Sequence, residues 1–251
     1  MKINKIKLAL GLVAGLSVAM PMIASAAADQ EKAMANADNW AAPRGNYSNQ
    51  AYSTLSQINQ GNVKNLKAAW TFATGVNRGH EGSPIVVGNM MYVHTAFPNN
   101  VYALDLNDNQ KIVWSYFPKQ DPSVQAVLCC DNVNRGLGYG DGKIILNQND
   151  GMVVALDAKT GKKIWDVRNV DPKVGATNTN APHVIKDKIL TGCSGAEFGV
   201  RCFMAAYNLK DGSLAWKAYS TGPDAEVLIG KDFNKDTPLY SALSVYEDVN
   251  G

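Results

Sequence analysis

The stretch VVALDAKTGKKIW (153–165) holds the fold in small scale. An apolar run, a polar turn containing a glycine, and a second apolar run closing on tryptophan describe a β-hairpin. The same arrangement occurs downstream as MAAYNLKDGSLAW (204–216), and upstream as VYALDLNDNQKIVW (101–114), where the polar turn has no glycine. The common pattern is Ala, one residue, Asp or Asn, a short polar turn, then an apolar pair or triplet ending in Trp. Trp70, Trp114, Trp165 and Trp216 are spaced by 44, 51 and 51 residues.

A second strand pair precedes each hairpin: PIVVGNMMYVHT (84–95), GLGYGDGKIILNQ (136–148) and PHVIKDKILTGC (182–193). Each unit therefore carries about four short strands in roughly 40–50 residues, the size of a propeller blade. The chain is expected to be all-β, a partial β-propeller of about four four-stranded blades. No amphipathic helix of comparable strength stands out. A β-sandwich is the plainer alternative, but three in-phase tryptophans argue against it. Tryptophan in this place packs blade on blade and carries no chemistry.

The first 30 residues, MKINKIKLALGLVAGLSVAMPMIASAAADQ, are expected to lie outside that fold. Lys2, Lys5 and Lys7 precede an apolar stretch over 8–20, and Ala24-Ser25-Ala26 is a small-x-small cleavage site. This is the pattern of a secretory signal peptide, 1–26, and predicts export to a periplasm. No later apolar run is long enough to span a membrane, and no cysteine near the cleavage site supports a lipid anchor. Cleavage removes three of the 24 basic residues and none of the 22 acidic ones, leaving a formal charge of −1. A near-neutral mature chain gives no support for nucleic-acid binding. In an oxidising compartment, cysteines are read as potential bridges before zinc ligands.

Two glycine- or acid-rich segments have plain readings. In GLGYGDG (136–142) a strand follows where a dinucleotide-binding loop would need a helix. DLNDNQ (105–110) lacks the Gly and closing Glu of a calcium loop and reads as a polar turn. His80, His94 and His183 have no ligand spacing, so packing roles are expected of them. Other segments depart from the repeat: VNRGHEGSP (76–84), VLCCDNVNRG (127–136), GATNTNAP (175–182) and GCSGAEFGVRC (192–202). In a propeller such loops gather at one end of the central axis, where ligands sit. The adjacent Cys129 and Cys130 allow three readings: half of a metal site, two buried small side chains, or a strained bridge between neighbours.

WTFATGVNRGHEGSPIVVG, AVLCCDNVNRG, SGAEFGVR and AYSTGPD together resemble the methanol dehydrogenases that depend on pyrroloquinoline quinone (PQQ), the quinoprotein alcohol dehydrogenases. The resemblance runs from about Asn39 to about Tyr240. GVNRGHEG, DPSVQAVLCCD and EFGVR are closer to the lanthanide-type (Xox) branch than to the calcium-type large subunit. The resemblance implies that Cys129 and Cys130 form a vicinal disulfide stacked on one face of the quinone. It implies that Glu81, Arg135, Thr179 and Ser194 bond the polar edge of PQQ, with backbone contacts from Gly195 and Ala196. Glu197 would ligate the calcium or lanthanide ion that polarises the reactive carbonyl. The chemistry suits these roles: Arg offers a planar fork to a carboxylate, and a carboxylate suits a hard cation. A Cys129–Cys130 bridge would distort its peptide, because adjacent Cα atoms are about 3.8 Å apart and ordinary disulfides span roughly 4.4–6.8 Å. Cys193 and Cys202 depart from the family, where small non-cysteine residues are usual; a second bridge or two free buried thiols are both open.

The family's chain is more than twice as long and closes eight blades. The Trp on the other face of PQQ, the Asn metal ligand, the Asp general base and the Arg near the quinone oxygens belong to later segments, as does the extra Asp of lanthanide enzymes. No general base is therefore assigned in this sequence. The propeller portion is expected over 27–240, with 241–251 a divergent tail, and a frameshift or early stop near Tyr240 is the expected origin. The function expected is that of the N-terminal part of a periplasmic alcohol dehydrogenase passing electrons from a small primary alcohol to cytochrome c, inactive alone. The family is often oligomeric. The alternatives are a non-catalytic propeller for binding or assembly, which shares Trp-ended blades but lacks CCDNVNR and SGAEFGVR, and an inactive remnant.

Overall fold

A computed structural model describes residues 22–223 and residue 227. Three four-stranded antiparallel meanders carry the fold. The first comprises β1 (Ile85–Val87), β2 (Met90–His94), β3 (Val101–Asp105) and β4 (Lys111–Tyr116). The second comprises β5 (Leu137–Gly140), β6 (Lys143–Asn147), β7 (Met152–Asp157) and β8 (Lys163–Arg168). The third comprises β9 (His183–Ile185), β10 (Lys188–Thr191), β11 (Phe203–Asn208) and β12 (Leu214–Tyr219). These are the twelve strands that the repeat predicts.

The repeat extends to single residues. Ala103 pairs with Trp114, Ala155 with Trp165 and Ala206 with Trp216, and each ladder has its irregularity immediately after that alanine. The indole of Trp114 donates to Ala158 O of the second sheet at 3.0 Å, and that of Trp165 to Leu209 O of the third at 3.3 Å. Each indole lies over the glycine of the next sheet's turn. A Cβ on Gly161 would sit 2.5 Å from the Trp114 ring, and one on Gly212 would sit 2.6 Å from Trp165. Both glycines also have positive φ, +70° and +74°, so turn geometry and docking both require glycine there.

The second sheet is covered on both faces. Ile144, Leu146, Val154 and Leu156 join Ile85, Val101, Ala103 and Trp114 in one core. Ile145, Val153 and Ala155 join Val184, Ile189, Ala205 and Tyr207 in another. This double burial explains the unbroken apolar runs KIIL and MVVAL, where a half-exposed strand would alternate. The glycines of GLGYG mark close approach of β9: a Cβ on Gly138 would meet Pro182 O at 2.9 Å, and one on Gly140 would meet Val184 Cγ1 at 2.6 Å. They make room for a neighbouring strand.

Two expectations are corrected. About four blades were expected, and the described residues form three sheets. Around Trp70 there is no strand: residues 41–69 supply turns and a single 3₁₀ turn (Val63–Asn65) instead of partner strands. Trp70 is consequently half-exposed, while Phe72 packs edge-on against Tyr102 at 5.2 Å. The second is a helix where none stood out, α1 (Met22–Ala35), which runs through the point after Ala26 where cleavage is expected. Its alanine-rich composition favours helix. The buried Gln30 amide docks it by donating to Tyr139 O at 2.9 Å and Val184 O at 2.7 Å, and both Gln30 and Ala33 lie after that point. Most of the expected signal peptide, nearly all of 224–240 and the whole tail 241–251 lie outside the described residues. No helix among the described residues is long and apolar enough to cross a membrane.

Candidate functional site

β1, β5 and β9, the first strands of the three sheets, lie side by side. A parallel bridge between Ser83 and Gly136 joins the segments leading into β1 and β5. The loops before these strands therefore meet at one end, together with the β10–β11 connection. These are the segments that break the sequence repeat.

Arg135 stands at their centre. Its Nε is 3.1 Å from Glu81 Oε2, and its Nη1 donates to Thr179 Oγ1 at 2.9 Å. Its backbone N–H donates to Thr179 O at 3.1 Å. Glu81 and Arg135 are both partly exposed, whereas Thr179 is buried. The guanidinium is thus held from two sides. Two residues from Thr179, Thr177 forms an antiparallel bridge with Ser194, with both backbone bonds at 3.0 Å and the two hydroxyls 2.8 Å apart. Gly195 follows, and then a 3₁₀ turn (Ala196–Phe198) that presents Glu197 to solvent. The Glu197 carboxylate makes no hydrogen bond or ion pair among the described residues. Glu81 and Arg135 also border an open cleft of about 700 Å³.

The vicinal bridge implied for Cys129 and Cys130 is not formed: both thiols are free and exposed. The chain turns there through two successive left-handed residues, Cys130 (φ 66°) and Asp131 (φ 63°). The neighbouring Cys130 thiol raises the Cys129 pKa, with further upward pushes from slight burial and the Glu197 carboxylate, while Arg135 acts to lower it. Glu197 and Arg135 thus both act electrostatically on the Cys129 thiol, while of the sequence-predicted residues only Glu81 and Thr179 contact Arg135 directly. Cys193 and Cys202, left open by the sequence, are the pair at bonding distance, with S–S 2.05 Å.

Sequence reasoning missed what lies beneath. Asn99, Asn134, Asn147, Asn149, Asn169 and Asn178 are all buried. Asn149 donates to Val133 O and Asn178 O, each at 3.0 Å, and its N–H donates to Asn99 Oδ1 at 2.8 Å. Asn134 donates to Asn147 O at 2.7 Å, and Asn147 donates to Asn180 O at 3.0 Å. These amides tie together the loops that carry Cys129 to Arg135 and Thr177 to Thr179, and satisfy backbone groups that no ladder reaches. The clustering of asparagines at strand ends was visible, but asparagine at a strand end ordinarily reads as a turn.

His94 is a second missed element. It is 5% exposed, its Nε2–H donates to Asn134 O at 3.1 Å, and Nδ1 is buried without a partner among the described residues. A Cβ on Gly82 would sit 2.2 Å from the imidazole. The ring therefore wedges between the neighbours of Glu81 and Arg135. Burial pushes its pKa down to about 4, against the Asn134 bond that raises it, so it is neutral at pH 7.

Residues 40–238 match the β-propeller domain model of PQQ-type glucose/ethanol/alcohol dehydrogenases. The chain belongs to this family. It is 54% identical, over 92% of its length and 39% of the relative's, to the lanthanide-dependent methanol dehydrogenase of Methylorubrum extorquens. It is also 54% identical, over 81% of its length and 33% of the relative's, to methanol dehydrogenase [cytochrome c] subunit 1 of the same organism. Among solved structures it superposes on a europium-containing methanol dehydrogenase with a TM-score of 0.80 at 50% identity, covering 84% of this chain and 37% of that one. The chain thus spans about two fifths of the length of the curated relatives it matches.

Proposed function

We propose that this chain forms one wall of the cofactor site of a periplasmic, PQQ-dependent alcohol dehydrogenase that passes electrons to a cytochrome c. The observation that carries the reading is the fixed Arg135, held by Glu81 and Thr179 beside the cysteine pair and within electrostatic reach of the same thiol as Glu197. The donor set fits the group. PQQ is planar and carries three carboxylates; a guanidinium fork, the Thr179 and Ser194 hydroxyls and the backbone at Gly195 and Ala196 suit its polar edge. The exposed cysteines offer a sulfur surface for its flat face. Glu197 supplies one oxygen ligand for calcium or a lanthanide, and a full shell of about six to eight oxygens needs donors beyond it. Among the described residues no cluster of three His, Cys, Asp or Glu side chains could hold a metal alone.

When bound, PQQ supplies the two-electron acceptor chemistry and the cation polarises its carbonyl. This chain's residues bind and orient. Glu81 and Thr179 fix the Arg135 plane, Ser194 is fixed by its bridge to Thr177, and Glu197 is presented by the 3₁₀ turn that follows. No described residue in the site is placed to take a proton from an alcohol: His94 is buried, and Glu197 is assigned to the cation. The chain alone is therefore expected to bind PQQ weakly and to oxidise no alcohol. Equilibrium dialysis with PQQ, with and without calcium or lanthanum, combined with a dye-linked methanol assay, tests both parts. PQQ retention that is unaffected by Arg135→Gln would sink the binding site, and robust methanol turnover would sink the claim of inactivity.

A further inference from the structure

The three sheets differ in one connection. β2 and β3 are joined by six residues (95–100), β6 and β7 by four (148–151), and β10 and β11 by eleven (192–202). A long connection costs more closure entropy and is looser than a short one. Yet the long one presents Ser194, Gly195, Ala196 and Glu197. Its base is cross-linked: β10 and β11 pair out to Thr191 and Ala205, and Cys193 meets Cys202 just beyond, nine residues apart in sequence. Both ends are also tied to segments beyond the loop, at Thr177 and Ser220. Ser194 is bridged to Thr177, while Cys202 O accepts from Ser220 N at 3.0 Å and Ser220 Oγ at 2.9 Å. Inside, Val200 N–H closes back to Gly195 O at 3.1 Å, with Gly195 at φ +126°. The 3₁₀ turn between these anchors packs Phe198 on Gly175, where an added Cβ would sit 2.6 Å from Phe198 Cβ, and leaves the Glu197 carboxylate exposed.

We propose that the Cys193–Cys202 bridge is a positioning device for the cation and quinone loop, one that replaces loop flexibility with a covalent staple and holds Glu197 toward the cysteine pair and Arg135. The inference rests on the cofactor reading above, and adds to it that cation capture depends on two residues touching neither cation nor quinone. A cross-link removes conformations the open loop would visit, so binding no longer has to order it.

The test compares the full chain with C193A/C202A, small side chains that leave the strands unchanged. By hydrogen exchange, amides of 194–201 should exchange about tenfold or more faster in the variant, while β6 and β7 exchange alike in both chains. Terbium luminescence in the presence of PQQ should report cation affinity about five- to tenfold weaker in the variant, with Glu197→Gln removing the signal. Equal exchange in both chains overturns the staple. Faster exchange with unchanged terbium affinity overturns its positioning role. A wild-type chain that takes up no terbium at saturating PQQ overturns the assignment of the cation to Glu197, and the exchange data, which need no ligand, tell that failure from failure of the staple.

Discussion

The seams between sheets and the loops at their ends are built from opposite materials. The seams are apolar, repeated and redundant: Ala opposite Trp three times in one register, and Trp over Gly twice. The loops are polar and unrepeated, and each amide has a specific partner. Seams set how sheets stack and tolerate only volume-conserving change. Loops set where single charges sit, and tolerate change only where no buried polar group is orphaned. A seam mutation should therefore damage stability and leave ligand contacts alone, whereas a loop mutation should do the reverse.

Leu146 is fully buried in the seam between the first and second sheets. Leu146→Ala, or Trp114→Ala, should cost about 3–5 kcal/mol in denaturant unfolding; a loss below about 1 kcal/mol would break the contrast. His94 follows, where seam and loop meet. Its pKa is lowered by burial from the usual 6.5 to about 4, so the unfolded chain binds the proton more readily. Its contribution is intact above about pH 6.5 and is lost as pH falls toward 4, on the order of 3 kcal/mol at most. Melts at pH 7 and pH 4.5 should show this loss, and His94→Gln should flatten that part of the pH dependence.

Asn149→Ala should cost about 1–3 kcal/mol, because it strips partners from Val133 O and Asn178 O. It should also weaken PQQ retention, which Leu146→Ala in its folded fraction should not. Arg135→Gln should leave the melting temperature within a degree or two and weaken PQQ by about tenfold, roughly 1.4 kcal/mol. The smallest effect is expected at Trp216, which has the register of Trp114 but is 45% exposed, against 8%. Trp216→Ala should shift unfolding in this chain by no more than about 0.5 kcal/mol. A loss like that of Trp114 would mean the exposed indole has a cover of its own.

The same division explains what could be read in the sequence. Strand positions were legible because seams repeat, and the repeat placed all twelve strands. The helix at Met22–Ala35 was not, because alanine-rich sequence after an apolar leader reads as processing sequence before it reads as fold. The site residues were legible through their motifs, but not the buried amides beneath them, whose burial is decided by loops far apart in the chain. The cysteines show the limit most plainly. The resemblance implied a bridge at Cys129–Cys130 and left Cys193 and Cys202 open, and the structure has the reverse. Pairing depends on backbone direction, and the left-handed turn at Cys130 and Asp131 is invisible in the letters.

The indole lying over its neighbour's glycine has a consequence for how this chain can be cut. Trp114 rests on Gly161, and Trp165 rests on Gly212. A sheet excised alone would lose the floor beneath its own tryptophan and the roof above its own glycine. Two successive sheets keep one such joint whole, and any break between sheets parts one tryptophan from its floor.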